Sequence, residues 1–152
     1  MGLHKRTLGP WAATVLMWLA ATSMATTEIP DQEPRVVEVQ LSNSQDEPVF
    51  IPNQLEFTTG QLYRLVLHNA GSHTHHFSSP GFSRSVFTHK LQVVSDGAVL
   101  VEFKGEVREI EIHPGATAEW WLVPIKPAHL DDLSCDRPGH EQEGMTGSIH
   151  IQ

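Results

Sequence analysis

Residues 134–152 read SCDRPGHEQEGMTGSIHIQ, and this stretch holds the single cysteine of a 152-residue chain. Cys135, His140 and Met145 follow one another with four residues between successive members, and residues 148–151 (SIHI) alternate as a closing strand. A loop tethered by strands at both ends can fold three such side chains onto one point. One cysteine cannot close an internal disulfide. The thiol is therefore buried and inert, paired with another chain, or occupied by something else.

A thiolate, an imidazole and a thioether together favour a soft or borderline metal such as copper over magnesium or calcium, which take oxygen. Two histidines, one cysteine and a weak axial methionine make the donor pattern of a type 1 copper centre, and this stretch lacks the second histidine. Upstream, residues 62–68 (LYRLVLH) read as an interior strand that ends at the turn formers Asn69, Ala70 and Gly71. Just beyond it, GSHTHHF offers His73, His75 and His76. Taken singly, a cysteine is most often a small buried hydrophobe, a methionine core filler and a loop histidine a solvated polar group. The ordered set is what points to a metal.

Outward from these two segments the chain reads as short strands. Residues 35–41 (RVVEVQL) alternate, residues 49–57 (VFIPNQLEF) are extended but interrupted by Pro52, and residues 91–94 and 98–103 flank the hairpin signal Ser95-Asp96-Gly97. Residues 107–113 (VREIEIH) and 118–123 (AEWWLV) add two more, with one short helix expected over 82–90. Seven or eight short strands with turn signals about every ten residues predict an antiparallel β-sandwich or barrel. Of Trp120 and Trp121, one is expected in the core and one at the surface, and Asp131 and Asp132 read as a solvated bend. His68, His89, His113, His129 and His150 are scattered, with no zinc-ligand spacing. The carboxylates show no paired arrangement suited to acid/base catalysis, so a binding or electron-transfer protein is expected rather than an enzyme.

The N-terminus sets the expected compartment. Lys5 and Arg6 precede an apolar run from Trp11 to Ala21, and Ser23 and Ala25 are small residues suited to a signal-peptidase cut after Ala25. The alternative is an uncleaved anchor, although the run is shorter than the roughly 20 residues that cross a bilayer as a helix. Three segments follow: a signal peptide at 1–25, a polar leader at 26–34 and one domain at 35–152. Cleavage removes two of ten basic residues and none of eighteen acidic ones, taking the formal charge from −8 to −10. That acidity argues against nucleic acid and suits solubility or docking on a basic protein.

The pieces FIPNQLEF, LYRLVLHNAGSHTHHF and CDRPGHEQEGMTGSIHIQ resemble the cupredoxins, the small blue copper proteins, in composition, order and spacing, across residues 36–152. The resemblance implies an all-β, Greek-key β-sandwich or barrel with a short helix in its insert. It also implies one type 1 copper held by His75, Cys135, His140 and Met145, with His76 as the alternative to His75. As a non-ligand, His76 would tie the two ligand loops together. His140 would lie nearer the surface than its partner histidine, within an apolar rim. The implied function is single-electron transfer between redox proteins, by a monomer in the periplasm or outside the cell. The alternative is a Cu(I) carrier, chaperone or storage protein. Nothing in the residues indicates membrane association. Two features depart from the family: KPAHLDDLSC replaces the usual Gly-x-Tyr-like approach to the cysteine, and the segment at 78–104 is long.

Overall fold

Residues 32–152 are described by the computed structural model, so the expected signal peptide at 1–25 and residues 26–31 of the leader lie outside the described residues. The chain runs β1 (Arg35–Gln40), β2 (Gln54–Phe57), β3 (Tyr63–His68), β4 (His75–Ser78), the single helical turn α1 (Pro80–Ser83), β5 (Val86–Ser95), β6 (Ala98–Phe103), β7 (Glu109–Ile112), β8 (Thr117–Pro124), β9 (Ala128–Ser134) and β10 (Thr146–Ile151). Successive strand residues point to opposite faces, and the apolar positions use this. Tyr63, Leu65 and Leu67 of β3 are buried, as are Ala118, Trp120 and Leu122 of β8 and Ile149 and Ile151 of β10.

The strands form two five-stranded sheets, ordered β1-β3-β8-β5-β6 and β2-β10-β9-β4-β7. β1 runs parallel to β3 and β2 parallel to β10, while the remaining pairs are antiparallel. The inward side chains of both sheets join in one cluster centred on Trp120, Phe57, Phe77 and Phe82. The expected β-sandwich is therefore present, with ten strands instead of seven or eight. At Pro52 the segment changes partner. Ile51 bridges Gln40 of the first sheet, and three residues later β2 joins the second. No helix among the described residues is long and apolar enough to cross a membrane.

Three local expectations are corrected. The helix placed at 82–90 is instead one turn at Pro80–Ser83, with Ser79 accepting from the Phe82 N–H as N-cap and proline in the first turn. β5 starts at Val86 and pairs with β8 through Val94; a register shift between Thr88 and Lys90 breaks the alternation that would have marked the strand. The long segment thus adds a hairpin at the sheet edge, turning on Asp96 (φ 49°) and Gly97 (φ 76°), as the Asp-Gly pair predicts. Finally, Asp131 and Asp132 are not a bend but lie within β9. There the Asp132 carboxylate accepts from Ser79 Oγ and the Gly81 N–H, so a half-buried charge is satisfied by the neighbouring helical turn. Trp120 is buried, whereas Trp121 lies on the outer face with Lys90 Nζ 4.6 Å from its ring centre, as the split reading of the pair predicts.

Gly147 of β10 passes close against the Asn53 backbone. A Cβ at this position would collide with the Asn53 carbonyl oxygen and lie 2.9 Å from Leu133 Cδ2. The same Asn53 oxygen accepts from the Ser148 N–H at 2.9 Å. Gly147→Ala is therefore expected to destabilise the fold by about 1–3 kcal/mol, the range for forcing an extra group into a packed site. The expected result in urea is a lower midpoint at an unchanged m-value.

Candidate metal centre

The first histidine is positioned by Asn69, a fully buried residue at the end of β3. Its Nδ2 donates to the carbonyls of His73 (2.7 Å) and Ile112 (2.8 Å), and its Oδ1 accepts from the Gly71 N–H (3.0 Å). These bonds pin the 69–74 loop to β7, so the chain re-enters the sheet at His75, the first residue of β4. Strand alternation then turns His75 and Phe77 inward and His76 outward.

The second segment is a closed loop. Cys135 N–H donates to the Met145 carbonyl (3.1 Å) and Met145 N–H to the His140 carbonyl (2.9 Å), which draws residues 135, 140 and 145 to one end of the sandwich. Gly139 (φ 94°) and Gly144 (φ 100°) take left-handed turns on either side of the 140–143 stretch. Cys135 and Met145 are both fully buried, and Met145 packs within the apolar core.

One donor atom each from His75, Cys135 and His140 lies within 4.8 Å of the others. His140 Nδ1 is 3.4 Å from Cys135 Sγ, and the two imidazole centres are 5.0 Å apart. The His76 backbone N–H donates to Cys135 Sγ at 3.3 Å, which ties β4 to the second segment and stabilises charge on sulfur. His75 is 1 % exposed, yet neither ring nitrogen has a hydrogen-bond partner. Burial, with His140 next in effect, pushes its pKa down to about 4. Burial and then Arg137 also lower that of His140. Both shifts favour the neutral imidazole, the form that ligates a metal. Buried polar atoms normally find partners; a metal ion is the partner this donor set fits.

His140 is the more accessible of the two histidines. It opens into a cleft of about 310 Å³ shared with Asp46, Pro48, His73, His75, Pro138 and Glu143. The expected apolar rim is thus mixed, with two prolines among charged and polar groups. His73 stays outside, its Nδ1 3.5 Å from Asp46. His76 turns to the opposite face, toward Glu109, Glu111 and Asp136. Asp46, Glu143 and these three carboxylates had no motif to announce them. Only the Glu109 and Glu111 positions, alternating with the buried Ile110 and Ile112 of β7, mark an outward face.

Asn69→Ala would remove the donors to two carbonyls, one of them in a fully buried bond, at a cost of about 2–4 kcal/mol. Asn69→Asp, nearly identical in shape, is expected to fail almost as badly because a carboxylate cannot donate. Thermal or urea unfolding of the two variants beside the parent checks this.

No family model matches the chain, and no curated protein matches it either. Solved structures do. A multicopper oxidase from Campylobacter jejuni superposes with TM-score 0.60 at 15% identity, covering 80% of this chain and 31% of that one. A laccase from Pediococcus acidilactici gives 0.57 at 16%, covering 80% and 28%. The copper nitrite reductase of Nitrosomonas europaea gives 0.54 at 12%, covering 78% and 48%. The chain spans about a third to a half of the length of these proteins. All three are cupredoxin-fold proteins, and at such identities the likeness is one of architecture: this chain has the cupredoxin-like β-sandwich fold.

Proposed function

We propose that the chain is an exported mononuclear copper protein that passes single electrons between partner redox proteins through brief contacts. The observation that carries this reading is the buried His75 imidazole, unpaired at both nitrogens and converging with Cys135 Sγ and a His140 nitrogen. The ligands are His75, Cys135 and His140, with the Met145 thioether as the weak fourth donor. Copper bound there supplies a one-electron Cu(II)/Cu(I) couple. The chain's part is to keep the donors still. The closed 135–145 loop, the Asn69 anchor and the His76 N–H bond to Cys135 Sγ would hold the donors in place around a bound copper. His140 brings the site to the cleft, where a partner can approach its ring. Export rests on the signal-like N-terminal sequence, and the small, transient interface is the kind such partners use.

A second reading, a Cu(I) carrier or chaperone, draws on the polar cleft. His73 and Asp46, both solvent-accessible, line it together with His75 and His140, and they could pass a metal ion in or out. The visible and electron-spin spectra of the oxidised, copper-loaded protein separate the two. The electron-transfer reading requires an intense thiolate-to-copper band, and a colourless Cu(I) complex favours the carrier.

Cys135→Ser is expected to abolish that band while leaving the sandwich folded, and colour that survives the change overturns the ligand assignment. His75→Ala is expected to lose the band, whereas His76→Ala should retain it, because the His76 backbone N–H remains in place.

A further inference from the structure

The same two chain segments carry a second set of donors on the opposite side. His76 follows His75, Asp136 follows Cys135, and each second member faces away from the buried cluster. His76 Nδ1 is in contact with an Asp136 oxygen and lies 3.4 Å from Glu109 Oε1. One donor atom each from His76, Glu109 and Asp136 lies within 4.8 Å of the others. On the far edge of the ring, His76 Nε2 is 3.2 Å from Glu111 Oε2, and the other Glu111 oxygen is 3.2 Å from His113 Nε2. Among the described residues, no lysine or arginine lies within ion-pair distance of Glu109, Glu111 or Asp136, although Lys90, Lys104, Arg64 and Arg108 all pair with other carboxylates. Three carboxylates thus surround an imidazole that is largely shielded from solvent.

We propose that His76, Glu109 and Asp136 bind a divalent first-row cation such as Zn²⁺, forming a second metal site separate from the buried one. The geometry divides the work. A cation would replace the proton through which Nδ1 contacts Asp136, while Glu111 holds the one on Nε2; a carboxylate in this role is a common support for a metal-bound histidine. One nitrogen and two carboxylate oxygens are a borderline-to-hard donor set, suited to zinc and unsuited to Cu(I). The carboxylates' charges repel one another, and burial together with the Asp136 carboxylate pushes the Glu109 carboxyl above its ordinary range. A dication at their meeting point removes that repulsion. It also clips β4 and β7 to the start of the 135–145 loop.

The test is calorimetric titration of Zn²⁺ into the copper-loaded full-length protein, with the melting temperature read with and without zinc. One equivalent should bind and raise the melting temperature. Glu109→Gln and Asp136→Asn should each weaken binding at least tenfold and abolish the thermal gain. Glu111→Gln should cost about 10–100-fold, the range for loss of a supporting carboxylate. Without zinc, Glu109→Gln should not lower the melting temperature, since it relieves the crowding that raises this carboxyl; this separates lost binding from misfolding. Cys135→Ser protein should bind the same equivalent, so the result does not depend on the copper assignment. Absence of zinc binding, or affinities within threefold of the parent in both Glu109→Gln and Asp136→Asn, overturns the proposal.

Discussion

Burying an imidazole with no hydrogen bond at either nitrogen costs about 1–3 kcal/mol, and the end of this sandwich is built around one such ring, His75. The surrounding parts keep it there. Asn69 spends both of its amide N–H groups and its oxygen on holding the preceding loop to β7. The strand that starts at His75 places Phe77 two residues on in the core, where it packs edge-on against Phe50. Rotating the ring out to solvent would require β4 to slip its register against β7, which would turn Phe77 out as well. The cost is thus locked in by apolar packing, and under the proposed function the metal offsets it.

The period-two geometry of strands also organises what lies behind the buried cluster. Adjacent residues His75 and His76 serve opposite faces, so one short strand contributes a soft, enclosed donor set on one side and an oxygen-rich, half-exposed one on the other. The two environments differ in the partners they suit. Inside, the Cys135 sulfur and the His75 imidazole are shielded from water; outside, carboxylates stand open to it. The His76 backbone N–H links them, since it donates to Cys135 Sγ while its own side chain faces Asp136.

Much of the sandwich was legible because burial writes itself into alternation. LYRLVLH and AEWWLV show one buried face each, and the Asp-Gly turn declares its hairpin. Legibility failed where pairing overrode local pattern. β5 carries a register shift at His89 that breaks its alternation and made its first half read as helix. β9 contains two aspartates in sequence, a combination that favours bends, yet Asp132 is tolerated because Ser79 and Gly81 supply its hydrogen bonds from a turn some fifty residues away in sequence. The resemblance implied an apolar rim around His140, but Asp46 reaches it from the loop after β1, which no local reading connects to it.

The chemistry on offer could be read from the chain alone: one thiol, a histidine and a thioether at even spacing before a closing strand, a histidine-rich loop after an interior strand, and an acidic, β-rich chain. Those follow from residue type and periodicity, which are local properties. Which histidine faces inward, which carboxylates gather behind it, and how the donors are held still were decided only by tertiary structure. Their physical reason is register. The face a side chain takes depends on where the chain re-enters the sheet, and here Asn69 sets that point through bonds to residues on other elements.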